Sequence, residues 1–295
     1  MTAEFDAKIE ALSDWIGRKR IVEDEIGLSN VRRIAGMLDL EPDAFINGTP
    51  LPPHWFSMFF PDAVKQRDIG PDGHPNKGVV LPPIPLPRRM GAGRRVTING
   101  RLKAGEPARK IAEVVSMVPK DARTGQICVL TMRHSIEARG KVIAVDEFDA
   151  IYRDAVPPGQ KSTATTPAPA PTDHDWAETK QVTNALVFRY SAVTWNAHRI
   201  HYDADYTRTE EGYPALVQNG GLTMQLMVDS ALKQTGRELT GYTARLTRPV
   251  SVNDTITLAG RAINADGQIE SWVVDRDGAK CAEMTLSFAR SRDES

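Results

Sequence analysis

Apolar and polar positions alternate most cleanly near the end of the chain. Ala282, Met284, Leu286 and Phe288 fall on one face and Glu283, Thr285 and Ser287 on the other, which predicts a half-buried strand over residues 280–290. Further strands are predicted over 242–247, 255–263 and 269–275, separated by turn signals at Val252-Asn253-Asp254, Asp266-Gly267 and Asp277-Gly278. Upstream, residues 220–234 carry Leu222, Met224, Leu226, Met227, Val228, Ala231 and Leu232 on more than one stripe, as in a helix covered on several sides. Residues 184–191 read as a strand and 192–218 as a loop. One buried helix followed by an antiparallel meander is the outline of a helix wrapped by a curved sheet.

The first half echoes this outline less clearly. Helical patterns near its start and around 54–63 precede strands predicted over 96–102, 111–118, 126–136 and 142–152, with a Pro/Gly/Arg-rich loop over 72–94 between them. Residues 156–175, rich in Pro, Ala, Ser and Thr and almost free of large apolar side chains, cannot build a core and read as an extended linker. The chain of 295 residues thus divides into an N-terminal domain (1–155), a flexible linker (156–175) and a C-terminal domain (176–295), each long enough to bury its own core. An internal duplication is plausible, although no residue-level repeat proves it.

A formal net charge of -1 offers no global attraction to nucleic acid or to a membrane surface, so any polyanionic ligand must be met by local basic residues. Cys128 and Cys281 lie far apart in strand-like runs and suit buried thiols better than a disulfide. No Cys/His cluster has metal-ligand spacing, so no metal is expected. The acidic, amphipathic start lacks the pattern of a secretory leader, and a cytoplasmic location is the expectation.

Chemistry concentrates in Arg189–Leu222. Thr194-Trp195-Asn196-Ala197-His198-Arg199-Ile200-His201-Tyr202-Asp203 is followed by Glu211-Gly212-Tyr213-Pro214-Ala215-Leu216-Val217, and the first half carries Pro85-Leu86-Pro87-Arg88-Arg89-Met90. At these residues the chain resembles the MaoC-like hydratases. It is more similar to their double-hot-dog branch of mesaconyl-C4-CoA (3-methylfumaryl-CoA) hydratases, itaconyl-CoA hydratases and type 2 hydroxyacyl-thioester dehydratases. The resemblance spans nearly the whole chain. It implies an α+β fold of two helix-wrapped antiparallel sheets, either a monomeric pseudo-dimer or a homodimer of such chains. It also implies reversible hydration of a short branched α,β-unsaturated acyl-CoA, without a cofactor beyond the CoA carried by the substrate. Mesaconyl-C4-CoA to citramalyl-CoA is the preferred pair.

Such a reaction needs a base for water, a polarised thioester carbonyl and a proton for the α-carbon. His201 stands at the position of the catalytic histidine, and an imidazole of pKa about 6.5 suits proton transfer in both directions. Asn196 takes the place of an aspartate, and a neutral amide orients water without accepting its proton; the plainer role is to cap the loop. His198 is an alternative second acid/base. Gly220, opening the helix, offers a backbone N–H to the enolate-like oxygen, although Asn219 and Gly221 replace the residues usual beside it. Arg88, Arg89, Arg199, Tyr213, Arg245 and Arg248 are the substrate-binding candidates, the first three as partners for a distal carboxylate and the last two for phosphates. GAGRR and NGG lack the strand-to-helix context of a nucleotide fingerprint. Two rival readings remain, a thioesterase on the same fold and a noncatalytic acyl-thioester binding module.

Overall fold

The computed structural model describes residues 3–122, 125–155 and 169–290. In chain order its elements are α1 (Ala3–Glu10), β1 (Lys19–Asp24), α2 (Leu28–Met37), β2 (Arg88–Ile98), β3 (Ala108–Ala122), β4 (Gly125–Ala138) and β5 (Lys141–Arg153), then β6 (Trp176–Gln181), α3 (Asn184–Val193), α4 (Ala204–Thr209), α5 (Gly220–Leu232), β7 (Leu239–Leu246), β8 (Thr255–Gly260), β9 (Gln268–Val274) and β10 (Lys280–Phe288). Most of the expected linker, 156–168, lies outside the described residues. Its final stretch is tied to the second half, with Asp175 N–H donating to the Gly260 carbonyl at 2.9 Å.

Among the described residues the strands form one sheet in the order β1-β3-β4-β5-β2-β7-β10-β9-β8-β6. Each half runs edge, third, fourth, fifth, second strand, and the two second strands meet at the centre, where Gly93 to Thr97 pair antiparallel with Arg245 to Gly241. The duplication is therefore visible in topology although not in residue identity. In the second half α5 buries Leu222, Leu226, Met227, Val228 and Ala231 under β7–β10. The first half has no helix of that kind between β1 and β2. Only α2 and short 3₁₀ turns stand there, and the apolar run predicted as helical around 54–63 forms one such turn, Trp55–Met58. Trp55, Phe56, Met58, Phe59 and Phe60 nonetheless fill the core.

Three local expectations change. Residues 184–191 are helical: the Thr183 side chain accepts from Leu186 N–H at 3.1 Å, and Leu186, Val187 and Tyr190 form one buried face. Residues 88–94 are strand, because β2 pairs with β5 back to Arg88, with a register shift between Gly91 and Gly93. β1 and β6 were not foreseen; as sheet edges they bury no residue fully and so carry no apolar alternation.

Candidate active site

A cleft of about 420 Å³ opens where the two halves meet, between the start of α5, β2, β7 and the loop 196–218. Its position follows from local chemistry. Asn219 precedes α5 without making a side-chain cap bond; its amide donates instead to Ser191 Oγ at 3.2 Å. The first backbone N–H groups of the helix, at Gly220 and Gly221, are thereby left for a ligand, at the positive end of the helix dipole. A Cβ at Gly221 would run into the Tyr190 hydroxyl, so glycine lets this turn seat against α3.

His201, 8% exposed, donates from Nδ1 to the Val217 carbonyl at 2.7 Å, and Val217 N–H in turn donates to the Ile200 carbonyl at 3.0 Å. That bond sets the tautomer and leaves Nε2 as the ring's acceptor. Burial pushes the His201 pKa down to about 4 against the opposing pull of the Val217 carbonyl, with His74 lowering it further. The ring is therefore neutral, and able to accept a proton, at pH 7. Asn196 lines the same cleft; its Oδ1 accepts from His198 N–H at 3.0 Å, so it does cap the loop, and Nδ2 remains as a donor. Burial holds the His198 pKa near 2, with His74 and His201 adding to the effect.

The arginines separate into two groups. Arg88, Arg89, Arg248 and Tyr213 line the cleft. Arg88 is buried, 6% exposed, and its Nη2 meets Glu211 Oε2 at 2.6 Å and donates to the Glu211 carbonyl at 3.1 Å, while Nε and Nη1 make no well-directed hydrogen bond, Tyr213 being the polar side chain beside them. Its guanidinium also lies 5.6 Å from the Tyr213 ring centroid. Arg248 is paired with Asp275 at 3.2 Å. Arg199 and Arg245 correct the sequence expectation, because neither lines the cleft. Arg199 is held by Asp203 at 2.7 Å and by the Pro71 carbonyl at 2.9 Å, and it stacks 4.1 Å from the Tyr206 centroid. Arg245 stands on the opposite face of β7 from the cleft-lining Ala244 and is 74% exposed.

The fold also adds residues that spacing did not reveal. His74 lines the cleft with its ring 4.0 Å from that of His198, which lies 5.5 Å from that of His201. Its turn is keyed into the second half: Asp72 carbonyl accepts from Arg199 N–H at 2.9 Å, and Gly73, at φ +88°, sits where any Cβ would collide with the Ala197 carbonyl. The sequence signal was Pro71-Asp72-Gly73-His74, a turn flanked by acid and imidazole, but its partners lie more than a hundred residues away. Asp72, His74 and His198 place potential ligand atoms within 4.8 Å of one another. The Asp72 carboxylate and His74 Nδ1 are spent on each other at 3.0 Å, and Arg89 adds positive charge beside them. The donor set is thus a carboxylate–imidazole pair more than a cation cage. Arg94, also missed, lies deeper against Asp146 at 2.9 Å; the contact is off line for a directed hydrogen bond and so mainly ionic.

A cleft at the junction of two such halves, with a histidine facing the start of a buried helix, defines a double-hot-dog protein of the thioester hydratase and dehydratase class. A model of the family "hydroxyacyl-thioester dehydratase type 2" matches residues 54–252, and the chain belongs to that family. It is 38% identical over 276 residues to mesaconyl-C4-CoA hydratase of Chloroflexus aurantiacus, covering 93% of this chain and 96% of that one. Its fold is shared with a MaoC-like dehydratase from Phytophthora capsici (TM-score 0.69, 12% identity, 96% and 98% of the two chains). It is shared too with a conserved hypothetical protein of Mycobacterium tuberculosis that has a double hotdog fold (TM-score 0.57, 14% identity, 92% and 96%).

Proposed function

We propose that the protein catalyses the reversible addition of water to the β-carbon of a short, branched α,β-unsaturated acyl-CoA, with mesaconyl-C4-CoA the preferred substrate and citramalyl-CoA the product. The observation that carries this reading is His201, whose Nδ1 is committed to the Val217 carbonyl and whose Nε2 is thereby an acceptor beside the uncapped start of α5. The thioester oxygen takes a backbone N–H at Gly220, where the developing enolate charge meets the helix dipole. Water adds through oxygen to the β-carbon while its proton passes to His201 Nε2; the alkene electrons move to the thioester oxygen; the α-carbon then takes the proton from His201. Asn196 Nδ2 donates to the water oxygen and fixes its approach. None of these steps calls on a cofactor.

The two unmatched donors of buried Arg88 supply the reason for an anionic acyl group, since a buried guanidinium left half-satisfied is costly until an oxygen anion fills it. Arg89 and Tyr213 complete that wall of the cleft, and Arg248 stands by Pro249 and Val250 on another stretch of its lining as the phosphate-side contact.

The test follows loss of enoyl-thioester absorbance with mesaconyl-C4-CoA, itaconyl-CoA and crotonyl-CoA in parallel, with free thiol monitored. Hydration of a dicarboxylic substrate that falls about 1000-fold in His201→Ala is expected. Thiol release in place of hydration would make the protein a thioesterase, and ligand binding without turnover would make it a binding module.

A further inference from the structure

The hydration scheme leaves one requirement unmet. A water held for attack has two hydrogens, and a site built on a carboxylate and an imidazole receives both. Here the carboxylate is replaced by Asn196, whose Oδ1 already accepts the His198 N–H and whose neutral amide cannot take a proton. Among the described residues the second half supplies one oriented imidazole acceptor, His201 Nε2; the other unpaired acceptor it brings to the cleft, Gln218 Oε1, is again a neutral amide oxygen that cannot take a proton.

Resting on the hydratase reading, we propose that His74, contributed by the first half, is the second catalytic acceptor, gripping the substrate water through Nε2 in place of the missing carboxylate. Three observations support it. The Asp72 carboxylate accepts from His74 Nδ1 at 3.0 Å and from His74 backbone N–H at 2.9 Å, which fixes both the position of the residue and the tautomer of its ring. The Val217 carbonyl does the same for His201, so each half delivers one imidazole with Nδ1 tied back and Nε2 free. The turn bearing His74 is locked to the catalytic loop at three points, through the Pro71 and Asp72 carbonyls and the close seat of Gly73 on Ala197, so that the acceptor is held in register with Asn196 and His201.

The charge around the ring agrees with an acceptor role. The groups acting on His74 are Asp72 and Arg89 from the first half and Glu211 from the second, and His74 in turn acts on the neighbouring His198 and His201. Burial, ahead of the opposing pull of Asp72, lowers the His74 pKa and keeps the ring neutral. Asp72 is held ionised, its pKa near 2, because the hydrogen bonds from His74 overcome the cost of burial. A neutral imidazole backed by an ionised carboxylate is a better acceptor than either group alone. His198 packs against both rings, 4.0 Å from that of His74 and 5.5 Å from that of His201, and takes no proton of its own in this scheme.

Steady-state hydration of mesaconyl-C4-CoA by the full chain distinguishes the outcomes. His74→Ala is expected to lower kcat about 100-fold with KM within about threefold, because the lost contact is to water and not to the acyl-CoA. Added imidazole should restore part of kcat. His74→Gln keeps an amide donor for Asp72 and an Oε1 acceptor toward the cleft, so it should lose only about tenfold, and it guards against a variant whose turn collapses. A His74→Ala enzyme within threefold of wild-type kcat overturns the proposal. A rise in KM alone, or equal losses in the Ala and Gln variants without imidazole rescue, makes His74 a structural contact and overturns it as well. Failure of the hydratase reading looks different: the wild-type chain itself would hydrate none of the three thioesters, and the role assigned to His74 would fall with it.

Discussion

The two halves of the molecule share a strand order and differ in what covers the sheet. In the second half α5 is wrapped by short strands of 6 to 9 residues and buries Leu226, Met227, Val228 and Ala231 below its first turn, with Gln225 and Asp229 turned to His54. In the first half β3, β4 and β5 run 13 to 15 residues, no equivalent helix forms, and charged groups lie on the covered face, among them Asp146, Arg94 and Lys110. Losing the helix removes the dipole-bearing N-terminus that chemistry needs from one copy, and it leaves room at the junction for a ligand. A duplicated fold has thus divided its labour: one half brings the start of α5, the proposed oxyanion site, and His201 to the cleft, the other Arg88, Arg89 and the Asp72–His74 turn.

The largest effect should come from breaking the ionic part of the first half. Asp146 is 2% exposed, burial raises its pKa against the pull of Arg94, and Arg94 in turn stays charged because Asp146, together with Tyr242 and Tyr190, outweighs the cost of burying it. Asp146→Leu leaves Arg94 uncompensated, and denaturant unfolding should report a loss of about 3–5 kcal/mol. Adding Arg94→Met should return most of it. In the second half the matching perturbation is a cavity: Met227→Ala under α5 is expected to cost about 2–5 kcal/mol, with no second-site charge change able to restore it.

Next in size is Arg88. Truncation to Met removes the donors that make no well-directed hydrogen bond and should lower kcat/KM for mesaconyl-C4-CoA about 100-fold, an amount typical of about 2–3 kcal/mol for a charge-assisted contact, while crotonyl-CoA, which has no distal carboxylate, changes less than about threefold. Equal losses for both substrates would place Arg88 in the framework around Glu211 and take from the first half its part in substrate choice.

How much of this was legible depends on the range over which each feature is determined. The meander β7–β10 and α5 were readable because their periodicities are local, and the motif from Asn196 to His201 because its residues are neighbours. Residues 184–193 were not: Leu186, Val187 and Phe188 in succession suit a buried strand as well as a helix, and only the Thr183 cap decides. The Asp146–Arg94 pair and the seat of His74 against His198 exist only once β5 lies beside β2 and the two halves are joined, so no spacing in the sequence carries them. Arg199 and Arg245 stand outside the cleft for a related reason. Side-chain direction on a strand, or capture by a near acid such as Asp203, is invisible to a count of basic residues.

The pH response compares the halves through their histidines. His201 has a folded pKa of about 4 against about 6.5 for a free imidazole, so below pH 6.5 the unfolded chain binds a proton that the native one refuses. Stability is therefore full above pH 6.5 and declines as pH falls toward 4. The share due to His201 is about 2 kcal/mol between pH 7 and pH 5. Urea unfolding at the two values should show His201→Gln losing that much less than wild type; an unchanged difference would mean that the ring is hydrated in the native state.

The smallest expected effect is the sharpest check on which face of the central strands matters. Gly93 pairs with Arg245, and Arg94, which lines the cleft, pairs with Ala244, so one residue along β7 separates the cleft face from the outer one. Arg245 has only a distant ion pair with Glu283, 3.7 Å away and exposed to solvent, worth well under about 1 kcal/mol. Arg245→Ala should leave kcat, KM and stability within error, whereas Ala244→Leu, its neighbour on the inner face, should crowd the acyl site and raise KM. If Arg245→Ala instead weakened acyl-CoA binding, the cofactor arm would have to cross the outer face of the sheet, and the division of labour between the halves would have to be redrawn around β7.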